Sequence, residues 1–179
     1  MPTALALIAA YLLGSVPFAM ISSRVFGLAD PRTYGSGNPG ATNVLRSGNK
    51  KAALMTLIGD ALKGAVAVIV AQQMGFSDTV IGLVALAVFL GHLYPIFLKF
   101  KGGKGVATAA GVLLALDPIL GLAVAGTWLL VAYVSRYSSL AALIAAAAAP
   151  VISALMHGAN NQTIVVGILG MALIGKHWQ

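Results

Sequence analysis

The chain has 179 residues, 59% of them hydrophobic and 8% charged, with a mean hydropathy of +0.94. That composition belongs to an integral membrane protein and excludes an ordinary soluble domain. A formal net charge of +7 would point to nucleic acid in a soluble protein; here the cations sit in short loops between apolar runs, so they report topology and no nucleic-acid partner is expected.

Residues 3–23 form an apolar run long enough to span a hydrocarbon core, for which about 20 residues suffice. They lack a positive n-region and so read as a retained first helix, not a cleaved signal. Arg24, Arg32, a glycine-rich loop, Arg46, Lys50 and Lys51 follow as the largest basic segment, which the positive-inside rule places in the cytoplasm. Residues 53–72 are a second span, 73–78 a short turn on the far side, and 79–98 a third span returning to Lys99, Lys101 and Lys104. Residues 106–116 are too short to cross and are broken by Asp117-Pro118, so they read as a half-helix or a short tilted span. Three further runs, 119–134, 140–156 and 163–174, end at Arg136, at a polar turn from His157 to Gln162, and at Lys176. If all seven segments cross, every Lys and Arg except Lys63 falls on one side. The expected fold is an all-α integral membrane bundle of about seven transmembrane helices, with short loops and the amino terminus outside. Five or six crossings are the alternatives. No polar stretch is long enough to fold separately, so residues 1–179 form one transmembrane domain.

The first glycine loop runs Tyr34-Gly35-Ser36-Gly37-Asn38-Pro39-Gly40-Ala41-Thr42-Asn43 and is closed by Arg46. Glycines let the backbone enter positive φ and approach a ligand closely, and Asn38 before Pro39 is driven to extended geometry. Hydroxyls, amides and free N–H groups supply hydrogen bonds with little bulk, and Arg46 adds a fork that fits phosphate. The second cluster, Lys99-Phe100-Lys101-Gly102-Gly103-Lys104-Gly105-Val106-Ala107-Thr108, sets glycines before a helical segment, where N–H groups point at an anion. It is not a Walker A loop, because Gly105 stands where a magnesium-holding Ser or Thr would be. Gly91-His92-Leu93-Tyr94-Pro95 brings an imidazole and a kink to the same face. Ser135-Arg136-Tyr137-Ser138-Ser139 is a third cluster, able to bind phosphate or to anchor at headgroups. Lys176 and His177 are a fourth.

Lys63 lies ten residues into the second span, about 15 Å along it at 1.5 Å per residue. A lone Lys at mid-bilayer costs about 2.5–3.5 kcal/mol on insertion scales. Asp60, three residues earlier on the same helical face, can neutralise it. Two readings stay open: a structural ion pair, or part of a polar active-site cavity.

Several chemistries are missing. The chain has no Cys and no Glu, so no disulfide, thiolate metal site or cysteine nucleophile exists and no metal cluster or cofactor is expected. There is no Gly-x-Ser-x-Gly elbow, and no Asp follows His92 at the spacing of a His-x4-Asp dyad. Any reaction here is expected to run by positioning and charge stabilisation, without a covalent enzyme intermediate.

On these residues the chain resembles the bacterial membrane-bound acyl-phosphate:glycerol-3-phosphate acyltransferases, from the first helix to His177. The resemblance rests on Gly35 through Asn43, on Gly91-His92 through Lys101-Gly102-Gly103-Lys104-Gly105, on Ser135 through Ser139, and on Asp60 with Lys63-Gly64. It implies transfer of a fatty acyl group from acyl phosphate to glycerol 3-phosphate, giving lysophosphatidic acid and phosphate. It also implies that Ser36, Arg46, Lys104, Ser139 and His177 hold glycerol 3-phosphate, with Arg46, Lys104, Ser139 and His177 as catalytic candidates. Thr42 and the Gly102-Gly103 backbone would cradle the acyl-phosphate group. Gly37, Asn38, Gly40, Asn43, His92, Gly105 and Arg136 complete the candidate substrate-binding set. The implied partners are the two substrates, membrane lipid and the soluble enzyme that makes acyl phosphate. The implied location is the bacterial cytoplasmic membrane, multi-pass, with the site facing the cytoplasm. Members of the family continue with an Asn and a basic tail where this sequence ends at Gln179. A different class, a small transporter or lipid- or anion-binding protein using the same loops as an anion gate, is the alternative; no convincing internal repeat supports it.

Overall fold

The apolar runs form helices because a chain in hydrocarbon must satisfy its own backbone groups. A computed structural model describes residues 2–178. Among the described residues there are nine α-helices, one short 3-10 turn and no strand. They are α1 Pro2–Gly14, α2 Phe18–Val25, α3 Ala41–Leu45, α4 Lys50–Gln73, α5 Asp78–Leu93, α6 Val106–Leu116, α7 Pro118–Ser135, α8 Ser138–His157 and α9 Asn161–His177, with the 3-10 turn at Ile96–Leu98.

The first apolar run is not one helix, as the sequence reading had it, but two. Pro17 has no N–H to donate and disfavours helical geometry at Val16, so the helix stops at Gly14 and restarts at Phe18. Taken across that break, Pro2–Val25 is one of five segments long and apolar enough to cross a membrane; the others are Lys50–Gln73, Asp78–Leu98, Pro118–Ser135 and Ser138–His157. α9, with 17 residues, reaches about 26 Å at 1.5 Å per residue and sits at the lower edge of spanning length. α6, with 11 residues, reaches only about 16 Å. It is the short apolar segment that its length foretold, and it runs from the second glycine loop to the end where Ala115 meets Gln72.

The helices run seven times between two ends. At one end Gln72 donates to the Ala115 carbonyl at 3.0 Å, His157 meets Asp117 at 2.6 Å, and Asn161 donates to Thr79 at 3.3 Å. At the other lie both glycine loops, with Lys176 Nζ 4.6 Å from the Tyr94 ring centroid. Side-chain caps fix several helix starts. Asn49 accepts from Ala52 N–H, Asp117 from Ile119 and Leu120 N–H ahead of Pro118, and Asn160 from Thr163 N–H.

Packing between these helices relies on small residues, as expected where lipid is as apolar as leucine. On α4 and α6, a Cβ at Gly64 or Gly111 would run into the backbone of Thr108 or Ala61 respectively. On α8, Ala141, Ala142, Ala145, Ala146 and Ala149 form a buried stripe, and Gly170 of α9 rests against the Ala146 carbonyl. α2 packs against the first turns of α4, with Phe18 on Gly59 and the hydroxyls of Ser22 and Thr56 2.5 Å apart.

Candidate active site

The first loop is built around Asn43. This buried side chain accepts the Ser36 N–H at 2.9 Å and donates to the carbonyls of Pro31 at 2.6 Å and Tyr34 at 3.2 Å. Gly35 and Gly37 take φ of +60° and +67°, which a side chain would resist. Gly40 caps α3 in extended geometry and its N–H reaches the Asn38 carbonyl at 2.9 Å. Ser36, Thr42 and Arg46 remain exposed. Arg46 lies across Gly35, with its Cδ 3.0 Å from where a Cβ would stand. Arg32 is differently committed. Its guanidinium and Asp30 form a close pair at 2.6 Å, which holds the Asp30 carboxyl below its ordinary range.

The second loop leaves the 3-10 turn through two consecutive left-handed non-glycine residues, Lys99 at φ 52° and Phe100 at φ 62°. Such conformations cost of order 1–3 kcal/mol each and persist where their surroundings hold them. The Phe100 and Gly102 N–H groups return to the carbonyls of Pro95 at 2.9 Å and Leu93 at 3.2 Å. Gly103 is buried and Lys104 half-buried, and Gly105, at φ +84° against the Phe89 ring, caps α6.

The two loops meet. A Cβ at Gly103 would stand 3.1 Å from the Pro39 carbonyl and would collide with His92 Nε2. Beneath them lies a hollow of about 10 Å³ lined by Ser15, Val16, Pro39, Asp60, Lys63, His92, Gly102 and Gly103 among others. Asp60 and Lys63 pair at 2.8 Å with almost no exposure, and Lys63 also donates to the Val16 carbonyl at 2.9 Å. That carbonyl is available because the helix breaks there. His92 Nδ1 lies 3.1 Å from Thr108 Oγ1 and 3.5 Å from Asp60 Oδ1. Of the two sequence readings of Lys63, the structure shows the ion pair; that pair also lines the hollow under the glycine loops. Removing one partner of such a pair typically costs 3–5 kcal/mol.

His177, half-buried at the end of α9, is held through Nδ1 against the Leu173 carbonyl at 2.9 Å and lies within electrostatic reach of Lys104. The fourth cluster thus lies at the same end as the second loop, with Lys176 over the Tyr94 ring. The third makes no direct tie to the loops. Arg136, at φ 61°, lies over the Tyr133 ring at 5.2 Å, and Ser139 is exposed in the first turn of α8. Among the described residues no hydrogen bond or ion pair ties Arg136 or Ser139 to the glycine loops. Val16 was not singled out by sequence, and Thr108 entered only as the end of the second cluster. Pro17 in the first apolar run was the signal for Val16, since a proline there breaks the helix at the residue before it and takes that residue's carbonyl out of the helical ladder.

This arrangement gathers cations, hydroxyls and backbone N–H groups from two glycine-rich loops at one rim of an apolar bundle. A family model described as glycerol-3-phosphate acyltransferase matches residues 4–179. The chain is 86% identical over all its 179 residues to the glycerol-3-phosphate acyltransferase of Dechloromonas aromatica (strain RCB), covering 90% of that protein. It is 61% identical over 170 residues to that of Burkholderia multivorans (strain ATCC 17616 / 249), covering 95% of this chain and 80% of the relative. Its fold matches the crystal structure of PlsY (YgiH), an integral membrane glycerol 3-phosphate acyltransferase, in the glycerol 3-phosphate form. That match has a TM-score of 0.93 and 37% identity over 99% of this chain and 89% of the other. The lysophosphatidic acid form of the same enzyme matches with a TM-score of 0.91 and 36% identity, over 99% of this chain and 88% of the other. The chain belongs to the glycerol-3-phosphate acyltransferase family.

Proposed function

We propose that this protein transfers a fatty acyl group from acyl phosphate to glycerol 3-phosphate, forming 1-acyl-glycerol 3-phosphate and inorganic phosphate at the cytoplasmic face of a bacterial inner membrane. The observation that carries this reading is the junction of the two glycine loops at Pro39 and Gly103, with Arg46 on one loop and Lys104 on the other. Two phosphate-bearing substrates need two such elements. One loop alone would serve a single anion.

Glycerol 3-phosphate is bound by Ser36, Arg46, Lys104, Ser139 and His177. Thr42 and the Gly102-Gly103 backbone hold the phosphate of the donor, whose acyl chain lies against the apolar helices. Gly37, Asn38, Gly40, Asn43 and Gly105 shape the loops, and Arg136 adds positive charge at the α7–α8 junction. The glycerol hydroxyl oxygen attacks the acyl carbonyl carbon. The carbonyl becomes an oxyanion, facing Lys104 and backbone N–H groups, and the C–O bond to phosphate then breaks. The hydroxyl proton passes to a substrate phosphate oxygen or to the imidazole of His177. Acyl phosphate is already activated, so alignment and charge stabilisation carry the rate. No cofactor enters, and the donor is delivered by a soluble enzyme that makes acyl phosphate.

The test is a side-by-side assay with acyl phosphate and acyl-CoA at matched chain length and saturating glycerol 3-phosphate. Turnover with acyl phosphate and little or none with acyl-CoA is expected. Comparable rates with acyl-CoA overturn the donor assignment, and binding of both substrates without product favours the anion-gate alternative.

A further inference from the structure

We propose that His92 is a positioning residue that forms the rigid floor of the donor cradle, acting through Gly103, and that Asp60, Lys63 and Thr108 hold its ring in place. The proposal rests on the assignment of the Gly102-Gly103 backbone to the donor phosphate and asks what sets the depth of that cradle.

Four elements converge on the imidazole. It projects from the last turn of α5 and is buried, with 7% of its surface exposed. Thr108, in the first turn of α6, places its hydroxyl 3.1 Å from Nδ1. Asp60 on α4 stands 3.5 Å from the same nitrogen and is pinned by Lys63 at 2.8 Å. Lys63 is fixed in turn by the Val16 carbonyl at the α1–α2 break, at 2.9 Å. With one edge of the ring held from α4 and α6, the other edge, Nε2, is aimed at Gly103.

The contact leaves no slack. A methyl group at Gly103 would collide with Nε2 on one side and stand 3.1 Å from the Pro39 carbonyl on the other. A flexible side chain would swing aside. This ring cannot, because Thr108 and Asp60 occupy its far edge. The loop therefore rests on a surface built by helices, and that surface sets the depth of the cradle. A local, peptide-level glycine preference does not explain this, since Gly103 is not among the positive-φ glycines.

The experiment is a double-mutant cycle between His92→Ala and Gly103→Ala in the full-length protein in lipid, with Michaelis constants measured separately for acyl phosphate and glycerol 3-phosphate. Each single variant should raise the KM for acyl phosphate by about tenfold or more while the KM for glycerol 3-phosphate moves by less than about twofold. The pair should be no worse than Gly103→Ala alone, because the collision has been removed; residues in contact show this kind of non-additivity. Losses that multiply, or KM values that rise together for both substrates, overturn the proposal. If His92→Ala does not fold, Thr108→Val replaces it in the cycle. That variant removes the hydroxyl at constant shape, so the ring tilts, the donor KM rises several-fold and the Gly103→Ala defect is partly relieved. Unchanged donor KM in Thr108→Val, or no relief, overturns the proposal equally. The wild type reports on the underlying reading. Failure of the wild type to use acyl phosphate overturns both, whereas wild-type turnover with multiplying losses overturns only the role given to His92.

Discussion

The side-chain oxygen of Asn43 accepts the backbone N–H of Ser36 at 2.9 Å, closing seven residues of the first glycine loop into a ring. The other end of the same amide donates to two more loop carbonyls, of Pro31 and Tyr34. The loop's shape is thus written into one buried side chain.

Asn43→Ala should therefore loosen the loop without touching any exposed cation. It strands an N–H and two carbonyls, and each unsatisfied buried group costs about 1–3 kcal/mol. We expect lower thermal stability in lipid together with a fall in kcat/KM for glycerol 3-phosphate. Asn43→Asp keeps the acceptor but loses both donor bonds, so it should not rescue. Wild-type behaviour of Asn43→Ala in both assays would refute this account of the loop.

Arg46 and Lys104 stand on different loops and should fail in the same direction. Arg46→Ala and Lys104→Ala are each expected to lower kcat/KM by at least about 10²-fold, or ~2.7 kcal/mol. Arg46→Lys should stay impaired, because an ammonium does not reproduce the bidentate fork. Lys50→Ala, at the exposed start of α4, is the comparison. An equal loss there would mean that general surface charge, not a site, is at work.

Sidedness can be read directly, because the chain has no Cys. Single Cys replacements at Gly48 and Lys101 should react only with reagent admitted to the cytoplasm. Those at Gly75 and Gly158 should react from outside. Labelling of positions 48 and 75 from the same side would break the seven-passage alternation.

At the opposite end, Asp117 caps α7 and pairs with His157. The Leu120 N–H first, then His157 and the Ile119 N–H, hold its carboxyl below the ordinary value of 3.8. A depressed folded-state value stabilises the fold above the unfolded value, and that contribution is lost as pH falls through the folded one. Asp117→Ala should cost about 1 kcal/mol at neutral pH through the lost cap. Unfolding measured at progressively lower pH, below the ordinary value, should show a shrinking gap between the two proteins, since the unfolded chain's carboxyl then takes up a proton that the folded one resists. A gap independent of pH would remove the charge from the explanation.

Much of this was legible from sequence because the chemistry is local. Apolar run lengths gave the passages, and Asp117-Pro118 gave the α6–α7 boundary. The three-residue offset of Asp60 and Lys63 gave their ion pair. The convergence of the loops was not legible. Pro39 and Gly103 lie far apart in the chain and meet only because α4, α5 and α6 set the depth of the second loop. The third cluster shows the converse. Its composition matches the other two, yet no hydrogen bond or ion pair draws Arg136 or Ser139 onto the glycine loops among the described residues. Composition places a residue at a rim, and packing decides which neighbours it meets there.

The meeting point of the two loops, at the end of a bundle whose flanks carry exposed Leu, Ile and Val, has a kinetic consequence. With acyl phosphate as the proposed donor, a catalyst at that boundary draws one reactant from water and the other from a two-dimensional phase. The rate then follows the molarity of glycerol 3-phosphate but the surface density of the acyl donor. Adding inert lipid or detergent at constant total donor dilutes only the second of these, and turnover should fall with the mole fraction of donor in the bilayer.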